Sequence, residues 1–157
     1  TAAAYIDLGN AWDKQERYKD AAVAYGKAHE VDPTDAAAVT NLGNATLRLG
    51  DQQSAERYYR QAVDLNPNQF QARMNLGSIC LQQQRIFEAV KHLGAAIQIN
   101  PRFPQAHNML GMAFLKQGRR SSARDQFQKA VDLDPDYEDA RANLKAVSGS
   151  AAAGGGP

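Results

Sequence analysis

Apolar residues along this chain recur in stripes, and the stripes have helical spacing. Ala89, Val90, Leu93, Ala96 and Ile97 fall at i, i+1, i+4, i+7 and i+8, one face of a 3.6-residue period. Lys91 and Gln98 lie off that face. The stripes come in pairs, and the pairs repeat. Leu-Gly recurs at Leu8-Gly9, Leu42-Gly43, Leu76-Gly77 and Leu110-Gly111, a step of 34 residues each time. Pro33, Pro67, Pro101 and Pro135 keep that step, as do Ala21, Ala55, Ala89 and Ala123, and Ala28, Ala62, Ala96 and Ala130. Tyr25, Tyr59, Leu93 and Phe127 hold another register. A fixed period of this length marks a repeat architecture rather than a single-core fold.

The breaks between stripes are chemical. Asp32-Pro33, Asn66-Pro67, Asn100-Pro101 and Asp134-Pro135 end each second stripe. A residue before proline is pushed out of the helical region, and proline cannot continue the ladder. Gly50 and Gly118 stand where first helices should stop, and Pro104 stands in a first turn, positions that favour those residues. The pattern predicts helices over 2–15, 18–31, 36–49, 52–65, 70–83, 86–99, 104–117 and 120–133. Gly9 and Ala21, and their equivalents, predict a close approach within each hairpin, because two helices come near only where side chains are short.

Composition narrows the function classes. The 157 residues carry 18 basic and 17 acidic side chains, a net charge of +1, so nothing draws the chain towards nucleic acid. No apolar run approaches the ~20 residues of a membrane span. One cysteine, Cys80, excludes an internal disulfide and a cysteine-built metal site. The chain opens at Thr1 with no leader pattern, and a processed or partial chain in the cytoplasm is the expectation. His29, His92 and His107 sit in different repeats with no metal spacing. Cys80 has no base to nominate beside it, and both it and His107 read as packing residues. Lys116, Arg119, Arg120 and Arg124 cluster at the last hairpin turn and read as a solvated basic turn. No catalytic set, metal site or cofactor site emerges.

The repeated residues carry a resemblance. The first unit reads Tyr5, Leu8, Gly9, Trp12, Ala21, Tyr25, Ala28, Pro33, which resembles the tetratricopeptide pattern of an aromatic, Leu-Gly, an aromatic, then Ala-x3-aromatic-x2-Ala and a closing proline. The first aromatic slot departs to Val39, Arg73 and His107, the second to Thr46 and Cys80. The resemblance implies an all-α fold, a right-handed superhelical solenoid of antiparallel helix pairs. Its four repeats span 2–35, 36–69, 70–103 and 104–137. Residues 138–147, with Ala140, Leu144 and Val147 on one side, read as a C-terminal capping helix, and 148–157 as a flexible Ala/Gly/Ser tail.

In proteins of that family the first helix of each pair lines a concave groove. The resemblance therefore places Asn10, Lys14, Asn41, Asn44, Arg48, Met74, Asn75, Ser78, Asn108, Met109, Met112 and Lys116 on a peptide-binding face. An Asn side chain offers a donor and an acceptor, so these amides resemble the ladder in the repeats of O-linked N-acetylglucosamine transferase, which pairs with peptide backbone. The asparagines are expected to point into the groove, so that replacing Asn41 and Asn75 leaves the fold intact. Met74, Leu81, Met109, Met112 and Leu115 suggest an apolar strip for an adaptable partner. The carboxylate clamp of chaperone-tail receptors does not fit, because its cationic slots hold Ile6, Gln71 and Asn75, or Thr40, Gln105 and Met109. The function implied is a non-enzymatic scaffold that binds a protein segment and helps assemble a complex. The alternatives are a self-assembling scaffold, such as the tetratricopeptide coats of bacterial organelles and magnetosomes, using the open N-terminal hairpin or the groove, and the substrate-recruiting arm of a glycosyltransferase.

Overall fold

The computed structural model describes residues 1–149. Among them are nine α-helices and no strands: α1 (Ala2–Lys14), α2 (Tyr18–Val31), α3 (Ala36–Arg48), α4 (Gln52–Leu65), α5 (Phe70–Gln82), α6 (Ile86–Ile99), α7 (Pro104–Lys116), α8 (Arg120–Leu133) and α9 (Glu138–Gly149). The second helices match the spans read from sequence. Each first helix stops one residue short of its expected end, and a residue in the left-handed region follows two positions later. Those residues are Glu16 (φ 58), Gly50 (φ 87), Gln84 (φ 59) and Gly118 (φ 75). The turn they make lets Arg17 N–H reach the Trp12 carbonyl at 2.9 Å and Arg119 N–H the Phe114 carbonyl at 2.9 Å. Orphan carbonyls at the helix end are satisfied in this way.

The loops after the second helices are equally regular. The side chains of Asp32, Asn66, Asn100 and Asp134 each accept from the backbone N–H two residues on, at 3.0, 3.0, 3.2 and 3.1 Å. Each such turn spans a proline and keeps the loop short. The same four residues donate their own N–H groups to the carbonyls of Ala28, Ala62, Ala96 and Ala130.

The chain divides into two compact units, and the boundary between Leu76 and Gly77 falls inside α5. In the N-terminal unit, Ala21, Tyr25, Leu42 and Ala45 form a core cluster, with Trp12, Ala22 and Tyr58 packed against it. Tyr59 is fully buried. A Cβ on Gly43 would stand 2.7 Å from the Tyr59 ring. Each Leu-Gly glycine therefore faces the register of Tyr25, Tyr59, Leu93 and Phe127, and Ala21, fully buried, shares the core cluster with Tyr25, Leu42 and Ala45.

The C-terminal unit repeats this design. A Cβ on Gly111 would meet the Phe127 ring at 2.6 Å, and one on Gly77 would meet Leu93 Cγ at 2.5 Å. Ala123, Phe127 and Val147 form a cluster joined by Phe114 and Leu144, so α9 covers the last hairpin. The Arg120 guanidinium fastens it, donating to the carbonyls of Ala146 at 3.1 Å and Val147 at 2.8 Å. Arg120 makes these bonds while staying exposed at the basic turn. The helix also runs two residues past the expected 147, taking in Ser148 and Gly149. The rest of the proposed tail, 150–157, lies outside the described residues.

Candidate functional site

The residues named from sequence divide between the two units. In the N-terminal unit, Asn10, Lys14 and Arg48 are exposed, and Asn41, Asn44 and Asn75 are half-buried. Several amides already have work. Tyr25 Oη donates to Asn10 Oδ1 at 2.9 Å, and Tyr59 Oη donates to Asn44 Oδ1 at 2.8 Å. Asn75 Nδ2 donates to that same Asn44 oxygen at 2.8 Å. Burial, and secondarily the charge of Asp13, pushes the Tyr25 hydroxyl up to about 12. Burial also raises that of Tyr59. Both hydroxyls therefore stay protonated and act as donors at neutral pH. Asn10, Asn44 and Asn75 thus tie the first helices to the second helices and to one another.

The repeat register explains this pairing. Asn10 and Asn44 are followed in register by Ser78 and Met112, while Tyr25 and Tyr59 are followed by Leu93 and Phe127. The amide is present where the ring carries a hydroxyl and absent where it does not. That co-occurrence was the available signal for a structural role. Asn41 differs. It is half-buried, and its side chain makes no hydrogen bond among the described residues.

In the C-terminal unit, Asn108 is buried at 4% exposure. Its Nδ2 donates to Tyr137 Oη at 3.2 Å and its Oδ1 accepts from Asn143 Nδ2 at 2.9 Å. The capping helix and the residue before it thus engage both ends of the Asn108 amide. The apolar strip also breaks up: Met74 and Leu81 are buried, Met109 is half-buried, and Met112 and Leu115 are exposed. Ser78 is half-buried, and Lys116 is exposed with Nζ donating to Gln84 Oε1 at 3.3 Å.

The departures from the aromatic slots have a purpose that sequence reading missed. Arg73 Nε donates to the Pro67 carbonyl at 2.6 Å. One period later, His107 Nε2 lies 2.8 Å from the Pro101 carbonyl, and its Nδ1 lies 2.8 Å from Gln126 Oε1. A polar donor in that slot clasps the loop before its helix. Where the second slot keeps its aromatic, an arginine lies over the ring: Arg17 on Trp12 at 3.8 Å and Arg119 on Phe114 at 4.3 Å. Among the described residues, no three of His, Cys, Asp and Glu gather to hold a metal ion, and no helix is long and apolar enough to cross a membrane. Cys80 is buried.

Paired helices, close glycine contacts and proline turns at one fixed period define a helical-repeat protein of the protein-interaction type. Family models agree: one for "TPR repeat" matches residues 77–118, one for "Tetratricopeptide repeat" matches 104–137, and one for "Anaphase-promoting complex, cyclosome, subunit 3" matches 14–96. The chain belongs to the tetratricopeptide repeat family. Its fold class is the all-α tetratricopeptide solenoid, as in the MamA protein (TM-score 0.85, 21% identity, 96% of this chain and 82% of that one). PilF of Pseudomonas aeruginosa is also similar (TM-score 0.83, 23% identity, 99% and 77%). So is YrrB, described as a TPR protein with an unusual peptide-binding site (TM-score 0.77, 27% identity, 92% and 75%). No curated protein sequence matches.

Proposed function

We propose that this chain is a non-enzymatic scaffold that binds an extended protein segment on the first-helix face of its N-terminal unit. The observation that carries the reading is the state of Asn41. It offers a donor and an acceptor, half-buried and unengaged, on the same helix as the Asn44 amide that is braced by Tyr59 and Asn75. A braced amide loses little side-chain freedom on binding, so its remaining donor is held ready for a ligand. Lys14 and Arg48 flank that face and favour segments that carry acidic groups. The likeness to YrrB supports a peptide as the class of ligand.

The test uses the full chain. Peptides are selected from a displayed library, and several unrelated binders are titrated calorimetrically. Asn41→Ala removes two neutral hydrogen bonds worth about 0.5–1.5 kcal/mol each, so affinity should fall roughly tenfold at ~1.4 kcal/mol per decade. The loss should be similar for unrelated sequences, because the contacts are to backbone, and thermal stability should not change. Adding Asn75→Ala weakens binding further and also lowers stability, because it breaks the bond to Asn44. Binders that keep full affinity for Asn41→Ala would refute the reading.

Self-association is a second reading, favoured by one register. Leu8 is 44% exposed, whereas Leu42, Leu76 and Leu110 are at 8%, 0% and 6%. A second copy laid over α1 would bury Leu8 as its counterparts are buried. Sedimentation should then show mass rising with concentration, and a Leu8→Lys chain should stay monomeric. A monomer mass at every concentration rejects this reading.

A further inference from the structure

The C-terminal unit holds an apolar feature that the fold does not use. Phe87, in the first turn of α6, is 85% exposed, the most exposed large apolar side chain among the described residues. The repeats supply their own control. Phe87 is in register with Lys19, Gln53 and Ser121, and its neighbour Ile86 with Tyr18, Gln52 and Arg120. The fold accepts polar residues at the position of Phe87 in every other hairpin, so packing does not demand the ring. An exposed apolar patch rimmed by polar residues marks a contact surface, and Phe87 shares such a patch with Ile86 beside Gln84, Lys116, Gln117 and Arg119.

Its surroundings define the contact. A concavity of about 350 Å³ is lined by Gln84, Ile86, Phe87, Lys116, Gln117 and Arg119. Two elements build it: the turn leading into α6 and the turn between α7 and α8. Ile86 and Phe87 supply an apolar wall, and Lys116 and Arg119 supply two positive charges. No acidic residue lines it. The nearest acid in sequence, Glu88, is paired with Arg85 at 3.3 Å. The Arg119 guanidinium is held against the Phe114 ring and donates to Ser122 Oγ, so its position is fixed before any ligand arrives.

We propose that this turn edge is a second docking site, separate from the first-helix face, for an acidic protein segment that carries a bulky apolar side chain. The apolar residue packs on Ile86 and Phe87, and flanking carboxylates meet Lys116 and Arg119. The volume stands near the lower end of the ~300–1,000 Å³ typical of ligand clefts, which suits one large side chain. Two cations are fewer than the about four to eight that mark an anionic membrane surface, so a protein segment is the better occupant.

The experiment uses the intact chain and a fluorescein-labelled dodecapeptide of Asp and Glu residues around a central Trp-Leu pair. Fluorescence anisotropy should show salt-sensitive binding. Two control peptides, one with Asn and Gln for the acids and one with Ala-Ala for Trp-Leu, should bind weakly. Ile86→Gln with Phe87→Gln copies Gln52 and Gln53 into repeat three, so folding is preserved. This variant should lower affinity roughly tenfold or more with an unchanged melting temperature. Lys116→Gln, copied from Gln82, should weaken binding and flatten its salt dependence. Asn41→Ala should leave this binding untouched, which separates the site from the first-helix face. Equal affinity for all three peptides, or an unaffected Gln–Gln graft, would overturn the proposal. So would binding to phosphatidylserine vesicles that the graft abolishes, in the absence of peptide binding.

Discussion

Glu16 and Gln84 occupy the left-handed turn position that Gly50 and Gly118 fill in the other two hairpins. A residue with a Cβ gives up roughly 1–2 kcal/mol in that conformation. Glycine avoids the strain and loses about 0.5–1 kcal/mol through its extra freedom when unfolded. Glu16→Gly should therefore stabilise the chain by up to ~1 kcal/mol, a rise of ~2–4 °C in melting temperature. A lower midpoint by calorimetry would show that the carboxylate does more than tolerate the turn. Legibility at this scale was uneven. Gly50 and Gly118 announce the turn, because glycine is the residue the conformation favours. Glu16 and Gln84 do not, and only the 34-residue register places them there. The bonds from Arg73 and His107 to proline carbonyls were hidden in the same way: an aromatic slot filled by a polar residue looks like decay of a motif until its acceptor is seen.

A hairpin depends on the distance between its two helices, and glycines at two depths test that distance with opposite signs. Gly77→Ala puts a Cβ about 2.5 Å from Leu93 Cγ, and Leu93 is fully buried. Overpacking costs ~1–3 kcal/mol, while alanine recovers about 1 kcal/mol of helix propensity. The variant should lose stability, and Gly77→Leu should lose more. Gly94, in the middle of α6, has nothing within 4 Å of a Cβ. Gly94→Ala should gain up to ~1 kcal/mol. Chemical denaturation of the pair decides it: two changes of the same sign would mean that the Leu93 contact does not set the helix spacing. The helices themselves were legible almost to the residue, because proline turns and glycine contacts recur at one period and each break has a chemical cause. The depth of a side chain was less so. Met74 and Met112 both looked like groove residues, yet one is buried and the other exposed. That difference comes from neighbouring elements, which periodicity within one helix does not report.

For the whole molecule, pH reports on the turn chemistry. The Asp51 carboxyl is held below its usual value by hydrogen bonds from Ser54, and that of Asp32 by bonds from Thr34. A carboxyl depressed in the folded state binds its proton more readily when unfolded. Its stabilisation is therefore complete above the ordinary carboxylate pKa near 3.8 and is lost as pH falls through the depressed value. Asn caps a helix about as well as Asp but does not titrate. Asp51→Asn should keep the melting temperature at pH 7 and lose less of it on acidification. An identical acid limb in both proteins would show that the Asp51 bonds contribute nothing there. Raised tyrosines set the other limit. Their neutral forms are favoured in the fold, so stability falls as pH climbs past the ordinary phenol value of 10 towards the Tyr25 value of about 12. The sequence made the family legible because the same small set of contacts is written four times. It left the ligand face unresolved, because an asparagine that braces the fold and one that awaits a partner have the same letter.

The Asn–Tyr brace also sets the order in which its members can be replaced. Replacing Asn44 first takes away the acceptor shared by the Tyr59 hydroxyl and the Asn75 amide, at about 1–3 kcal/mol for each buried group left unpaired. Replacing Tyr59 by Phe first leaves Asn44 still bonded to Asn75, and the hairpin passes through no stranded donor. Met112 and Phe127, which stand in these two registers in the last repeat, could thus be copied into the second repeat at least loss in one order, with the ring losing its oxygen before the amide is replaced.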